Sequence, residues 1–251
     1  MNSKERFSDR VHAYVKYRPS YPVAAIDYLY DVIGMKREST IADIGAGTGI
    51  FAELLLERGN PVIGVEPNTE MREVAVATLA EEPNFEVSSG SAEATELPDE
   101  SVDYITCAQA FHWFDQQATR SEFKRILKPE GKVILIWNSR LTTGTSFLEQ
   151  YEQLLHDYGT DYTKVNHKNV SAEKLEPFFK KDTMELAKFG NRQVFNWEGL
   201  RGRLESSSYV PSSDNPRYND MIEQLKRIFD HNQHEGVVFF DYETEVFWGE
   251  V

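Results

Sequence analysis

Residues 41–52 read IADIGAGTGIFA, and this stretch limits the possible folds more than any other. A short apolar run holds Asp43 near its end, glycines follow at Gly45, Gly47 and Gly49, and an apolar segment resumes at Ile50. A strand feeding a tight turn feeding a helix satisfies this order. Glycine supplies the positive φ such a turn needs and puts no side chain between the backbone and a bound group. The helix start behind the turn presents N–H groups that lack intrahelical acceptors. A second strand-like run at 61–66 (PVIGVE) also ends in an acid, and Glu66 falls 21 residues after Gly45. Nucleoside-binding α/β folds place a ribose-gripping carboxylate at about that offset.

The first 140 residues alternate between two periodicities. Strands are expected at 40–45, 61–66, 85–89, 102–108 and 132–137, and helices at 23–34, 48–58, 69–81 and 115–128. Pro129 and Gly131 are the expected stop of the last helix. Such alternation implies a parallel sheet with right-handed crossovers. Beyond residue 140 the order changes. Helices are expected at 146–158, near 171–180, at 197–206 and at 217–233, with strands at 184–196 and 237–247.

Composition narrows the function classes. The 251 residues suffice for one large domain. Against 27 basic residues stand 41 acidic ones, a net charge of −14. This balance argues against nucleic acid or an anionic membrane as the main partner. Cys107 is the only cysteine, which excludes an intrachain disulfide and a Cys-rich zinc site; it is expected in the core. No metal is expected, since His156, His167, His231 and His234 show no convincing ligand spacing. The polar start and the lack of a membrane-length apolar run predict a soluble, cytoplasmic protein. Oligomeric state has no sequence signal.

The glycine spacing separates two cofactor classes. Dinucleotide folds use Gly-x-Gly-x-x-Gly, with a pyrophosphate on the helix N-terminus. Here the pattern is Gly-x-Gly-x-Gly, and Asp43 at its mouth would repel a pyrophosphate. An acid there suits a ligand bearing an ammonium and a sulfonium. The loop and the acid-ended second strand together resemble motifs I and II of the class I S-adenosylmethionine-dependent methyltransferases. The resemblance implies an α/β fold: a Rossmann-like, seven-stranded, mostly parallel sheet with helices on both faces, a reversed final strand and a small helical lid or insertion. It implies a single domain over 1–251, with 1–22 as an N-terminal arm and about 140–182 with part of 197–216 as the lid. It covers 1–140 well and the remainder weakly.

In open α/β sheets ligands bind beyond the C-terminal strand ends. Asp43, Gly45, Ala46, Gly47, Glu66, Pro67, Ser91, Ala92, Ala108 and Gln109 fall at such ends. The resemblance implies that they bind S-adenosylmethionine. Glu66 is expected to accept both ribose hydroxyls. Asp43 either orients the loop, partners the methionine ammonium, or only bonds local backbone. Gly49 can serve helix packing alone. Residues 90–98 (GSAEATELP) resemble the family's G-D-A-E-x-L-P stretch, with Ser91 in place of the acid that reaches the adenine amine and Ala92 offering its N–H to the ring. Glu93 reads as a helix-start acid. Residues 107–115 (CAQAFHWFD) are similar to the A-x-x-x-H-W-x-D stretch of the trans-aconitate methyltransferase-like group. There Ala108 and Gln109 would line the methionine end. His112 is the candidate general base, or else it packs beside Trp113. Residues 14–22 (YVKYRPSYP) are similar to that group's opening segment, which implies Tyr14, Tyr17 or Arg18 at a carboxylate of cofactor or substrate. The competing reading is a packed arm. Trp137, Trp197, Tyr209 and Trp248 read as core more than pocket, with Trp137, at the end of the fifth strand, also placed where it could face the acceptor.

The expected activity is methyl transfer to a small molecule, at a carboxylate or hydroxyl. A carboxylate needs no base, only an orienting arginine such as Arg18, Arg140 or Arg201; a hydroxyl needs a base, for which His112 is the candidate. No Asn-Pro-Pro-Tyr or Asp-Pro-Pro-Tyr follows the fourth strand, which argues against an exocyclic amine of a nucleic acid base. Two alternatives stay open on sequence alone. One is a nicotinamide-dependent oxidoreductase on the same fold; the other is a non-catalytic nucleoside-binding module that regulates a partner.

Overall fold

Short strands form the parallel part of a sheet. β1 (Ile41–Ile44) is buried at every residue and lies between β2 (Val62–Val65) and β4 (Val102–Ala108), while β3 (Phe85–Ser88) pairs the far side of β2. A parallel strand covered on both faces has no polar side, which is why β1 and β2 show little alternation, whereas β3 at the sheet edge alternates in sequence and is not fully buried at any residue. The computed structural model describes residues 17–160, 162, 171–207, 209–212 and 214–251. Its seven strands lie in the order β3-β2-β1-β4-β5-β7-β6, with β5 at Leu127–Arg140, β6 at Glu185–Phe195 and β7 at Val238–Gly249. β7 runs antiparallel to both β5 and β6 and is the one reversed strand.

Helices α1 (Val23–Asp31), α2 (Ile50–Glu57), α3 (Thr69–Thr78) and α4 (Gln116–Ile126) cover the parallel part. Strand alternation sends successive β5 residues to opposite faces. Ile134 and Ile136 join Leu29, Phe51 and Leu55 in one core, and Val133, Leu135 and Trp137 join Cys107, Phe123 and Ile126 in the other. A third core sits away from the sheet centre. Helices α5 (Ser146–Tyr158), α7 (Trp197–Glu205) and α8 (Arg217–Asn232) pack there around Phe195, Phe240 and Tyr242 from the ends of β6 and β7. Among the described residues no helix is long and apolar enough to cross a membrane.

The boundaries differ from expectation where tertiary pairing outweighs local pattern. The expected strand at 132–137 runs over 14 residues, because β7 pairs with it from Val133 to Arg140. Pro129 and Gly131 do not end a helix at 128; α4 stops at Ile126, and they sit within β5 at a register break, where Glu130 has φ 67°. The helix expected near 171–180 is only α6 (Ala172–Leu175) and a 3₁₀ turn, Glu176–Phe178. Tyr14, His167 and most of the expected arm lie outside the described residues.

Candidate functional site

The glycine loop links β1 to α2 and is tied to β2 by two bonds. Gly45 and Ala46 both donate their N–H to the Val65 carbonyl, at 2.8 and 3.2 Å. The three glycines take φ of +73°, +58° and +86°, a region other residues enter only with strain. Their reasons differ. A Cβ at Gly45 would lie 2.5 Å from Ala110 Cβ, and one at Gly49 would lie 2.9 Å from Leu79 Cδ1 on the α3 side. Gly49 therefore serves helix packing. At Gly47 the nearest atom to such a Cβ is Met71 Sδ at 3.9 Å, so the space above it belongs to the crevice. Gly49 caps α2 with no side-chain acceptor, which leaves the helix N-terminus facing this loop.

Glu66 follows β2 and is 7% exposed. Its Oε2 accepts the Gly47 N–H at 2.9 Å and its Oε1 accepts the Asn68 N–H at 2.8 Å. Two charge-assisted bonds to backbone fix the carboxylate at the crevice wall. Asn68 in turn caps α3 by accepting the Met71 N–H. Asp43 takes a different place from the one expected of a ligand partner. It is fully buried under the loop, outside the walls of the crevice, and its Oδ1 accepts the Thr106 hydroxyl at 2.8 Å. Its Oδ2 has no hydrogen-bond partner among the described residues. Burial pushes its carboxyl up to about 7, against the Thr106 bond and with help from the Glu66 charge.

Beyond Glu66 the crevice is walled by Pro67, Met71, Ser91, Ala92, Trp113 and Phe114. Ser91 and Ala94 bond each other's backbone at 3.0 and 3.2 Å, and the tight turn holds Ser91 and Ala92 at the wall. Glu93 also lines it and accepts the N–H of Asp115, the residue that caps α4. Met71, Trp113 and Phe114 had gone unassigned, since only the folded chain brings α3 and the 3₁₀ turn after β4 to one wall.

Gly45, Gly47, Ala108 and Gln109 border this space and a second compartment alike. Gln109 has φ +59°, an uncommon conformation for a residue with a side chain, and its Nε2 donates to the Asn138 carbonyl at 3.3 Å. His112 borders neither compartment. Its ring lies 4.8 Å from the Trp113 ring, its Nδ1 has no partner among the described residues, and burial pushes its pKa down to about 4.

The second compartment is lined by Ala46 and Thr48 of the loop, by Arg18 of the arm, and by Arg140, Arg203, Tyr209 and Tyr242. The arm closes it. The Ser20 carbonyl accepts Asn138 Nδ2 at 3.2 Å and Asn191 Nδ2 at 2.8 Å, and the Tyr17 carbonyl accepts Gln193 Nε2 at 3.3 Å. Gly202 of α7 makes room for the Tyr17 ring, where a Cβ would approach within 2.2 Å. Arg140 is in the wall as expected. Arg201 is not: it pairs with Glu205 at 2.9 Å on the outer side of α7, and Arg203 occupies the inner side. Trp137 also points elsewhere, into the core against Phe111 and Phe247.

Known proteins agree with this architecture. A family profile described as a methyltransferase domain matches residues 42–135. A Dictyostelium discoideum protein provisionally named a methyltransferase is 33% identical over 191 residues, which span 71% of this chain and 68% of that one. An uncharacterised methyltransferase-like protein of Schizosaccharomyces pombe is 28% identical over 248 residues, 97% of this chain and 94% of its own. In fold, the chain is similar to a solved structure from Anaeromyxobacter dehalogenans, provisionally named a type II methyltransferase, with TM-score 0.71 and 19% identity over 93% of this chain and 98% of that one. The chain belongs to the family its glycine loop resembles, the class I S-adenosylmethionine-dependent methyltransferases.

Proposed function

We propose that this enzyme methylates a carboxylate or hydroxyl oxygen of a small molecule. The observation that carries this reading is the second compartment, which opens at Gln109 and is walled by arginines and tyrosines in a chain of net charge −14. Polar donors clustered against the prevailing charge suit an acidic or hydroxylated acceptor. The stretches 107–115 and 14–22 support a place near the trans-aconitate methyltransferase-like group, within a single domain in which about 140–182, with part of 197–216, serves as the lid and so includes helices α5 and α7.

The residues divide the work. Glu66 holds the ribose, Ser91 and Ala92 meet the adenine between Trp113 and Met71, and Gly45, Ala46, Gly47, Ala108 and Gln109 shape the passage between the compartments. Arg18 takes the methionine carboxylate. Asp43 acts from beneath, as the buried support of the loop. When bound, S-adenosylmethionine supplies a methyl carbon activated by a sulfonium. The chain's own contribution is position and exclusion of water. A carboxylate acceptor needs no proton removed, so the reading favoured here does without His112. The nicotinamide reading falls away with the family assignment.

A screen of small organic acids, phenols and amines with labelled methyl donor tests the proposal. Label is expected in acids or phenols. Label confined to amines, or to nucleic acid, would overturn it.

A further inference from the structure

Arg203 is a buried cation without a counter-ion. It is 6% exposed, and among the described residues no carboxylate lies within ion-pair distance of it. Its Nε donates to the Tyr242 hydroxyl at 3.4 Å and its Nη1 to Ser207 Oγ at 3.0 Å, both neutral acceptors. The Tyr242 hydroxyl spends its own proton on Gln193 Oε1 at 2.8 Å, so its oxygen faces the guanidinium as an acceptor. Arg140 stands near. The guanidinium carbons of Arg140 and Arg203 each lie 5.9 Å from the ring centre of Phe240. Arg140 is the cross-strand partner of Tyr242 and is ion-paired to Glu152, with the Tyr162 hydroxyl 2.8 Å from its Nη2. Arg140 thus has a carboxylate partner in Glu152, and Arg203 has only neutral ones. A buried charge left without a partner is strongly unfavourable, and both arginines face the same compartment.

We infer that Arg203, with Arg140 in the same wall, anchors a carboxylate of the methyl acceptor, and so selects small organic acids. The inference rests on the methyltransferase reading for the existence of an acceptor, and it adds the acceptor's chemical class and the residue that recognises it. A planar fork of N–H donors matches the two oxygens of a carboxylate. The cofactor's own carboxylate is a poorer occupant. Arg203 is tied to β7, which stands three strand spacings from the glycine loop of β1 in the order β1-β4-β5-β7, roughly 14 Å across the sheet. Thr48, on the glycine loop itself, lines the same compartment.

The test is thermal unfolding of the full chain saturated with S-adenosylhomocysteine, titrated with succinate and 3-phenylpropanoate, their amides, and inorganic phosphate, at constant ionic strength. At least one acid is expected to raise Tm, and the amides are not. Arg203→Gln should weaken the acid at least about tenfold while S-adenosylhomocysteine affinity changes by less than about threefold. Arg203→Lys, which keeps the charge and loses the fork, should fall between. If Arg203→Gln does not fold, Tyr242→Phe, which removes the Nε acceptor, should weaken the acid and spare the nucleoside. The inference is overturned if no acid binds, if amides bind equally, if phosphate alone binds, if both variants respond like the natural chain, or if acid and S-adenosylhomocysteine affinity fall together. Failure of the natural chain to bind S-adenosylhomocysteine, read before any acid is added, would instead strike the cofactor site itself.

Discussion

The Glu66 carboxylate accepts the Gly47 backbone N–H at 2.9 Å, so the acid of the second strand and the middle glycine of the loop form one unit. Its other oxygen holds the Asn68 N–H at the start of α3. Glu66→Ala removes both bonds and the proposed ribose acceptor. S-adenosylhomocysteine binding, measured by isothermal titration, is expected to weaken by about 1.5–3 kcal/mol, the range for a hydrogen bond to a charged group. Glu66→Gln should do little better, since its NH₂ must face either the Gly47 or the Asn68 N–H, donor against donor. Unchanged affinity in both variants would remove Glu66 from the cofactor site.

Two glycines of the loop should fail in different ways. At Gly45 an added Cβ meets Ala110 Cβ at 2.5 Å and adopts φ +73°, so Gly45→Ala is expected to lower stability by about 2–4 kcal/mol through clash and strain together. At Gly47 the φ is +58° but no protein atom approaches closer than 3.9 Å. Gly47→Ala should therefore cost only about 1 kcal/mol of stability while its methyl intrudes on the ligand's side of the loop. Denaturant unfolding beside nucleoside titration separates the two. Equal stability losses would refute the distinction.

Asp43 sets a pH dependence with a definite sign. Its folded-state pKa of about 7 exceeds the ordinary value of 3.8. Between these values the folded chain keeps a proton that the unfolded chain has released, so this group makes stability decline as pH rises from about 4 to 7. The slope is at most about 1.4 kcal/mol per pH unit, and it flattens above 7. Glu122 does not interfere. Bonds from Arg125 hold it near 2, so its contribution is lost only as pH falls below the ordinary carboxylate range. His112, held near 4 by burial against an ordinary 6.5, contributes the opposite slope over about pH 4 to 6.5. The Asp43 contribution is therefore read by difference: in denaturant unfolding the stability of Asp43→Asn relative to the natural chain should rise from pH 5 to pH 8. Parallel profiles for the two chains would show that Asp43 is ionised throughout.

The parts of the site that were legible in the sequence are those whose partners are close in the chain. The glycine turn and the acid that closes the next strand announce themselves by local chemistry, whereas Ser91 and Ala92 came through the resemblance of residues 90–98 alone. Arg203 was hidden because α7 carries two arginines two residues apart, and only the packing of α7 on Phe240 and Tyr242 decides which faces inward. Trp137 takes the core place expected of most such aromatics, and strand alternation decides it. It shares a face with Val133 and Leu135, in the core, whereas Asn138 and Arg140 border the second compartment. Asn138 receives the Thr244 hydroxyl at 2.5 Å and reaches the Ser20 carbonyl, contacts spanning more than a hundred residues that no local pattern encodes. The length of β5 escaped for the same reason: its pairing with β7 is a property of the assembled sheet.

His112 gives the sharpest kinetic test. The sequence offered it as a base, yet its ring is packed beside Trp113, and burial holds its pKa near 4. A neutral imidazole of such low basicity, outside the walls of both compartments, is a poor proton acceptor at pH 7. His112→Gln should keep S-adenosylhomocysteine affinity and hold kcat/KM within about threefold of the natural chain, because nothing that touches the reacting atoms is removed. The pH profile of kcat/KM should likewise lack a histidine limb near 6.5 in either chain. Removing a true general base lowers turnover by about 10²–10⁴. A loss of that size with nucleoside binding intact would return His112 to the reaction, and would point the acceptor's reacting group toward a hydroxyl that must give up its proton.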